Sequence, residues 1–397
     1  MFDHADSDNG TIPQKHDSCI LATHATDIQG PPDALATYLQ NRTEWLVVMK
    51  FPLSADDTLK PGCEIYRDGQ PIERRTFGIR IRPFLLNYVI DLLLILYWSL
   101  CIIAKYKLTS ITFFGCNNYV TLSGLALKGC RQVKTVVFYS IDYSQQRFSN
   151  RLLNCVYRYI DKIAATKSAF VWSNTNRTRA IRTRQGIREA SNILVPNGVY
   201  SDLITPSDGN GRHDYGISIE YHGHLTESKG VQNVIDALDK LGNPNFSLDI
   251  IGSGPFEGRL KAVAARSKYK DKITFVGRRS YKETIAALSK YDLSVALISP
   301  KEDYIRYCDP VKIKEALASN VPVLVSNVPE IAQLIKQRKL GIVVENAENV
   351  EEIARRLGDL FANIGVLAEY RKNIAEIRKD FDWNNIYDKP MQLIKAT

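Results

Sequence analysis

No two cysteines in this 397-residue chain stand in a CxxC spacing, and their number is odd: seven, scattered from Cys19 to Cys308. That excludes a zinc ribbon and a disulfide framework, and it fits a reducing cytoplasm. Histidine is scarce, with six in all. No strand-like run leads into GxGxxG with an acidic residue on the following strand, which disfavours a dehydrogenase. No carboxylate pair is placed to hold a divalent ion. Asp6-Ser7-Asp8 imitates one, but it lies in the polar opening stretch. Residues 1–17 are polar and of mixed charge, so a loose tail is expected there rather than a signal peptide.

What is present is an ordinary globular composition, 45% hydrophobic and 24% charged, over enough chain for two domains. The net charge of +9 is uneven. Residues 18–200 carry 23 Lys and Arg against 12 Asp and Glu, whereas residues 201–397 carry 28 against 27. A basic half suits an anionic lipid surface, a phosphorylated substrate or nucleic acid, or is a plain solvated surface.

Apolar runs alternate with helical patterns throughout. CILATHA (19–25), WLVVMKF (45–51), SITFFG (110–115), KTVVFYS (134–140) and FVWSN (170–174) read as strands of a first parallel sheet. ISIEYHG (217–223), FSLDIIG (246–252), ITFVG (273–277), LSVALIS (293–299), VPVLVS (321–326) and GIVVE (341–345) read as a second. The turn-rich VPNGV (195–199) marks the junction. The expected organisation is a tail over 1–17, a domain over 18–200, a domain over 201–380 and a closing helix over 381–397. Two doubly wound sheets leave a ligand cleft at the carboxyl ends of their strands. Segment 84–104 is long enough to span a bilayer, but Asn87 and Asp91 interrupt it, so a buried or membrane-touching helix is expected. The cluster Arg177, Arg179, Arg182, Arg184 and Arg188 suits a solvated face or anionic headgroups; without interleaved aromatics, nucleic acid is disfavoured.

The second half places a consistent set of groups at its strand ends. YHGHLTESKG ends a strand at Gly223 and His224 and brings Lys229 to a helix start, where Ser228 is the expected cap. IIGSGP offers Gly252, Ser253 and Gly254 as a backbone cradle, and FVGRRS offers Gly277 and Arg278. DPVKIKEALASNVPVLVS (309–326) reads as a short helix with Asp309 as cap and Pro310 in the first turn, stopped at Asn320. Val311 and Lys312 stand at its open end, and Glu315 is placed to reach a hydroxyl. A diphosphate joined to a ribose would satisfy both, although an ordinary capped core helix fits this segment too. His222 and His224 could form a metal pair; alternatively His224 faces a phosphate, or is structural.

In this order and spacing, HGHL…SKG, GSGP, FVG and PVKIKEALASNVPVLVS resemble the donor domain of retaining glycosyltransferases of the two-Rossmann GT-B architecture, in the family-4 group, over about residues 190–385. The first half resembles that family more loosely, through the loop Asp27–Pro32 and FYSIDY. The resemblance implies that Lys229 and His224 neutralise the donor diphosphate, that Glu315 binds the ribose, and that Gly277 and Arg278 border the base. Asp309 to Lys312 would wrap sugar and diphosphate through backbone N–H groups. Lys229, Glu315, His224 and Asp142 would carry the chemistry, while Gly30, Asp142, Tyr143 and Arg147 would face the acceptor. No metal or bound cofactor is implied, only a UDP- or GDP-linked sugar as co-substrate. Phe381, Trp383, Ile386 and Tyr387 would begin a helix that crosses back to the first domain. Three positions depart from the pattern: His224 replaces an arginine, Tyr307 replaces a glutamate, and at the strand end FYSIDY, where the family often has a histidine, Asp142 is the nearest polar residue.

The function expected is a cytoplasmic, metal-independent transfer of a sugar to a saccharide or lipid-linked acceptor of surface polysaccharide assembly, on the inner face of the cell membrane. A sugar-nucleotide epimerase of the same architecture and a catalytically silent nucleotide-sugar scaffold are the alternatives.

Overall fold

The computed structural model describes residues 16–25, 30–53, 59–77, 85–209, 216–301 and 303–396. Asp6-Ser7-Asp8 and Asp27–Gln29 lie outside them. Strands β1 (His16–Ala25), β2 (Thr43–Pro52), β3 (Gly62–Arg67), β4 (Gln70–Thr76), β5 (Ile111–Gly115), β6 (Thr135–Ser140), β7 (Phe170–Ser173) and β8 (Asn192–Leu194) form one sheet, ordered β4-β3-β2-β1-β5-β6-β7-β8. Helices α1 (Pro31–Gln40), α2 (Leu85–Tyr106), α3 (Asn118–Gly129), α4 (Arg151–Lys167) and α5 (Asn176–Arg184) belong to the same stretch. β1 pairs in parallel with β2 and β5, and β5 with β6. The hairpin β3–β4 is antiparallel and extends the edge beyond the expected strands. It turns on Asp68-Gly69, both at positive φ, and that pair is a hairpin signal readable in RDGQ.

The second sheet contains β9 (Ile217–His222), β10 (Phe246–Ile251), β11 (Ile273–Gly277), β12 (Leu293–Ala296), β13 (Val323–Ser326) and β14 (Gly341–Val344), ordered β11-β10-β9-β12-β13-β14 with parallel pairs. Its helices are α6 (Val231–Leu241), α7 (Glu257–Arg266), α8 (Tyr281–Leu288), α9 (Val311–Ala318), α10 (Ile331–Arg338), α11 (Val350–Ala362), α12 (Val366–Ile377) and α13 (Trp383–Lys395). The strand order reverses between β9 and β12. In doubly wound sheets ligands bind outside the carboxyl ends at such a point.

By packing, the chain divides into two compact units. One holds the chain through Tyr139, with Ile160–Val171 and the end from Lys395; the other holds Ser140–Tyr159 and Trp172–Ile394. In the second unit one core packs Ile217, Ile219 and Tyr221 of β9 against Val234, Ile235 and Leu238 of α6. Another packs Ile313, Ala316 and Leu317 of α9 against Val323 and Val325. α6 stops at Gly242 with φ 74°, as its sequence implies, but Gly230 is its N-cap and Ser228 lies in the preceding 3-10 turn.

In the first unit, α2 is long and apolar enough to cross a membrane by length and composition. One face nevertheless buries Asn87, Asp91, Ser99, Ile95 and Ile102. Asp91 Oδ2 lies 3.1 Å from Nε2 of the buried His24 at the end of β1. The Asn117 amide stands 3.3 Å from Nδ1 of that ring. Donation from the amide fixes the proton on Nε2, facing Asp91. The polar residues that interrupt the apolar run therefore tie α2 to its sheet.

Candidate active site

β9 is buried on both faces, and the two faces differ. Ile217, Ile219 and Tyr221 point into the apolar core, so period two sends Ser218, Glu220 and His222 to the other side. Ser218 meets Asp292, whose other oxygen takes a 2.8 Å bond from Arg371. His222 lies between two carboxylates, with Nδ1 3.0 Å from Glu220 Oε2 and Nε2 3.0 Å from Glu315 Oε2. Burial alone would lower the pKa of this imidazole. Glu220 and Glu315 outweigh burial and raise it to about 9. His222 is therefore a doubly bonded cation near neutral pH, held by two glutamates. The pairing with His224 expected as one alternative does not form: His224 is exposed, and its carbonyl accepts a 2.9 Å bond from Tyr221 Oη.

α9 brings the remaining groups to the same strand end. Glu315 is buried and lies within electrostatic reach of Tyr281 of α8, whose hydroxyl is shifted above its ordinary range by burial first and then by this carboxylate. Lys312 Nζ sits 4.0 Å from the centroid of the Tyr221 ring. Burial lowers its pKa to about 8 against the opposing pull of Glu220 and Glu315. A Cβ built on Gly223 would stand 3.0 Å from that Nζ, so the lysine passes directly over the glycine. Lys229 ends the 3-10 turn Glu227–Lys229, and its charge acts on both Tyr221 and Cys308. Lys229, Lys312, the His222 cation, the buried carboxylates of Glu220 and Glu315 and a helix start thus gather where β9 and β12 diverge.

The start of α9 differs from expectation. Pro310, not Asp309, is the N-cap, and no side chain caps it. The Asp309 carboxylate instead accepts from the Asn197 N–H at 2.7 Å and pairs with Lys314 Nζ at 2.5 Å. Lys314 also donates to Asn197 O at 2.6 Å. Asp309 fastens the VPNGV turn to α9, and its side chain is committed to that task. Asn320 does take the expected left-handed stop, with φ 59°.

GSGP brings three strand-end loops together. Gly252 has φ 140°, and a Cβ there would collide with Gly223 O; one on Gly254 would collide with the Leu225 backbone. The Gly252 N–H is already donated to Gly277 O at 2.9 Å, and Ser253 O accepts from Leu225 N at 3.0 Å. These residues therefore join the ends of β9, β10 and β11, and α7 starts only at Glu257. Gly277 stands at φ 78° in open space, with Arg278 exposed beside it.

Behind β6, and still within the second unit, a cleft of about 380 Å³ is lined by Asp142, Tyr143, Ser144, Arg147, Tyr307 and Cys308. The Tyr143 and Tyr307 rings meet edge to face at 5.1 Å, and Gln145 donates to Tyr307 Oη at 3.0 Å. Burial pushes the Cys308 thiol up to about 11; Lys229 pulls it down, while Asp309 and Asp142 push it further up. Cys308 thus lies within electrostatic reach of both Lys229 and Asp142. Gly30, by contrast, is the extended N-cap of α1 in the first unit, where its N–H bonds Asp33 Oδ2 at 2.9 Å.

The arginine cluster is mostly engaged inside the second unit. Arg177 donates to Arg306 O and Val328 O, and Arg179 to Asn192 O. Arg182 is fully buried, bonds Ser140 Oγ at 2.7 Å and lies over the Tyr143 ring. The residues that sequence reasoning missed are Glu220 and His222 as a pair around Glu315. Their signal was the placement of Glu220 two residues before His222, alternating with the apolar Ile217, Ile219 and Tyr221 of the strand.

Comparison with known proteins bears on the fold and on the second half of the chain. Residues 212–380 match the family model described as glycosyl transferases group 1. An uncharacterized glycosyltransferase of Methanocaldococcus jannaschii is 28% identical over 180 residues, 45% of this chain and 44% of that protein. The putative colanic acid biosynthesis glycosyltransferase WcaL of Salmonella typhimurium is 29% identical over 161 residues, 38% of this chain and 39% of that protein. The chain therefore matches less than half the length of these curated relatives. Among solved structures, a sucrose-phosphate synthase from Thermosynechococcus elongatus overlays with a TM-score of 0.71 at 17% identity, covering 96% of this chain and 98% of that one. The Anabaena protein HepE in complex with UDP and glucose overlays at 0.69 and 16%, covering 96% and 99%. The fold is that of the GT-B glycosyltransferases, and the stretch that matches the glycosyl transferases group 1 model, residues 212–380, is the part of the chain that carries Lys229, Lys312 and Glu315.

Proposed function

We propose that this protein is a retaining glycosyltransferase that moves a sugar from a nucleoside diphosphate to a saccharide or lipid-linked acceptor of surface polysaccharide assembly. The observation that carries this reading is the buried Glu315 carboxylate at the β9–β12 reversal, with Lys312 within its electrostatic reach and Lys229 acting on Tyr221 of the same strand end. Glu315 accepts from the ribose hydroxyls. The lysines and the backbone N–H groups at the start of α9 face the diphosphate. Breaking the sugar–phosphate bond leaves negative charge on that diphosphate, and fixed cations stabilise it more as it develops. A base-bordering role for Gly277 and Arg278 completes the donor side. Asp142, Tyr143 and Arg147 line the cleft offered to the acceptor. The UDP and glucose held by the Anabaena structure, and the polysaccharide role in the name of the Salmonella relative, support a UDP- or GDP-linked donor and a glycan acceptor.

We place the enzyme in the cytoplasm, at the inner membrane surface where a lipid-linked acceptor is presented. Thermal stabilisation by a panel of UDP- and GDP-linked sugars, followed by transfer assays with the best donor, tests the reading. A chain that no nucleotide sugar stabilises rejects it. One that is stabilised but neither hydrolyses nor transfers is a scaffold.

A further inference from the structure

α4 is amphipathic in the inverted sense. Its inward face carries Asn154, Asp161, Ala164 and Ala165, all buried. Its outward face carries Leu152, Val156 and Tyr159 at i, i+4 and i+7, and these are 72%, 48% and 68% exposed. A helix of a globular protein ordinarily turns its apolar stripe to the core. Here the fully buried residues are small or polar, Tyr157, Ile160 and Ile163 are half-buried, and Leu152, Val156 and Tyr159 meet solvent. The inward contacts are specific: Asn154 Oδ1 accepts from Phe148 N at 2.9 Å, and the Asn150 side chain caps Leu152 N and Leu153 N. The rotation of the helix about its axis is therefore fixed, and the outward stripe does not result from loose packing. Arg151, Arg158 and Lys162, spaced i, i+7 and i+11, are exposed along one edge of that stripe. The only acidic residue of α4 is Asp161, which points inward.

We infer that the outward face of α4 is the surface by which this protein lies on an anionic lipid membrane, with Leu152, Val156 and Tyr159 entering the headgroup–acyl boundary and Arg151, Arg158 and Lys162 contacting lipid phosphates. An apolar stripe with a cationic edge is what an interfacial helix requires. Lipid headgroups supply the negative charge that the edge needs. A second copy of the chain would not, because α4 offers no outward carboxylate to its twin. This inference deepens the peripheral-membrane reading above and relocates it from the arginine cluster of α5, whose side chains are largely engaged elsewhere. α2 also exposes a stripe, Leu86, Val89, Leu93 and Tyr97, but without a cationic edge along it.

The test is co-sedimentation of the full chain with vesicles of phosphatidylglycerol in phosphatidylcholine, and with phosphatidylcholine alone. The wild type binds the anionic vesicles. The triple variant Leu152→Ser, Val156→Ser, Tyr159→Ser loses partitioning by about tenfold or more, because each removed side chain takes apolar area from the interface. Arg151→Gln, Arg158→Gln, Lys162→Gln weakens binding to anionic vesicles, while Leu93→Ser, Tyr97→Ser leaves it in place. Exposed serines do not disturb the fold, so melting temperature and stabilisation by UDP or GDP stay at wild-type values. Equal partitioning of wild type and triple variant overturns this inference and leaves peripheral attachment standing. So does loss of binding in the α2 variant alone. A wild type that ignores anionic vesicles overturns both, and a wild-type dimer split by the triple variant assigns the stripe to a second copy. Failure of UDP and GDP to stabilise the protein concerns only the donor reading.

Discussion

Nε2 of His222 stands 3.0 Å from Oε2 of Glu315, while Nδ1 of the same ring faces Glu220. The carboxylate proposed to hold the ribose is therefore itself held from below by a cation. The pKa of His222 is raised from 6.5 to about 9. A base with a raised folded pKa stabilises the native state fully below its unfolded pKa and loses that contribution as pH rises through the folded value. His222 should thus stabilise the protein at pH 6 and contribute nothing above about pH 9. Lys312, lowered to about 8, acts in the opposite direction over its own window, with stability rising as pH climbs from about 8 toward 10.5. The comparison that isolates His222 is wild type against His222→Gln. Their difference in melting temperature is expected to shrink from pH 6 to pH 10. A constant difference would mean that the ring is neutral.

Lys229→Ala and Glu315→Gln address the donor site directly. Loss of one charge contact in a closed site costs on the order of 2–4 kcal/mol of transition-state stabilisation. Lys229→Ala is expected to lower kcat more than nucleotide affinity, because the lysine opposes charge that grows during bond breaking. Glu315→Gln is expected to weaken binding of UDP or GDP and to narrow the preference for ribose over 2′-deoxyribose. Transfer by the wild type is expected to persist in EDTA, since lysines and backbone N–H groups carry the leaving-group charge. Wild-type rates in Lys229→Ala would remove it from the mechanism.

The second sheet was legible because its strands are short, mainly apolar runs, three of them ending in Gly223, Gly252 and Gly277, and each period-two or period-3.6 pattern is local. The site was legible only as far as local signals reach. Lys229, Glu315 and Lys312 follow from helix starts behind strands. The Glu220–His222 arrangement requires knowing which face of β9 meets α9, which depends on packing between elements 93 residues apart. Arg182 shows the same limit: in sequence it is one basic residue among five, and in the fold it is fully buried against Ser140 and Tyr143. The hairpin β3–β4 was readable from Asp68-Gly69, but its strands are polar, and polarity hid them.

Two glycines of adjoining segments should respond to alanine with opposite sign. At Gly252, φ is 140° and a Cβ would collide with Gly223 O, so Gly252→Ala strains the backbone and separates the loops. Strain of this kind costs of order 1–3 kcal/mol, and the collision adds to it. Gly258 lies in the first turn of α7 with nothing near its missing Cβ. Gly258→Ala is expected to stabilise by roughly 0.5–1 kcal/mol, because alanine loses less conformational freedom in a helix. Thermal unfolding of the two variants decides the matter, and destabilisation by Gly258→Ala would show that the position is not a simple helical one.

Asp309 separates a structural role from a sugar-binding one. Its carboxylate and the Lys314 ammonium are both nearly buried, and Asn197 joins them from the turn before the second sheet. Removing one partner of a buried pair leaves the other charge uncompensated, at a cost of about 3–5 kcal/mol. Asp309→Asn is therefore expected to lower the melting temperature markedly. Lys314→Met in the same background should restore part of the loss, because the uncompensated ammonium is then gone. If the Asp309 carboxylate instead contacts the donor sugar, the single variant keeps its melting temperature and loses affinity for the nucleotide sugar, and Lys314→Met rescues nothing. The hydrogen bonds favour the first outcome: the carboxylate already accepts from Asn197 and Lys314, and both donors come from the protein itself.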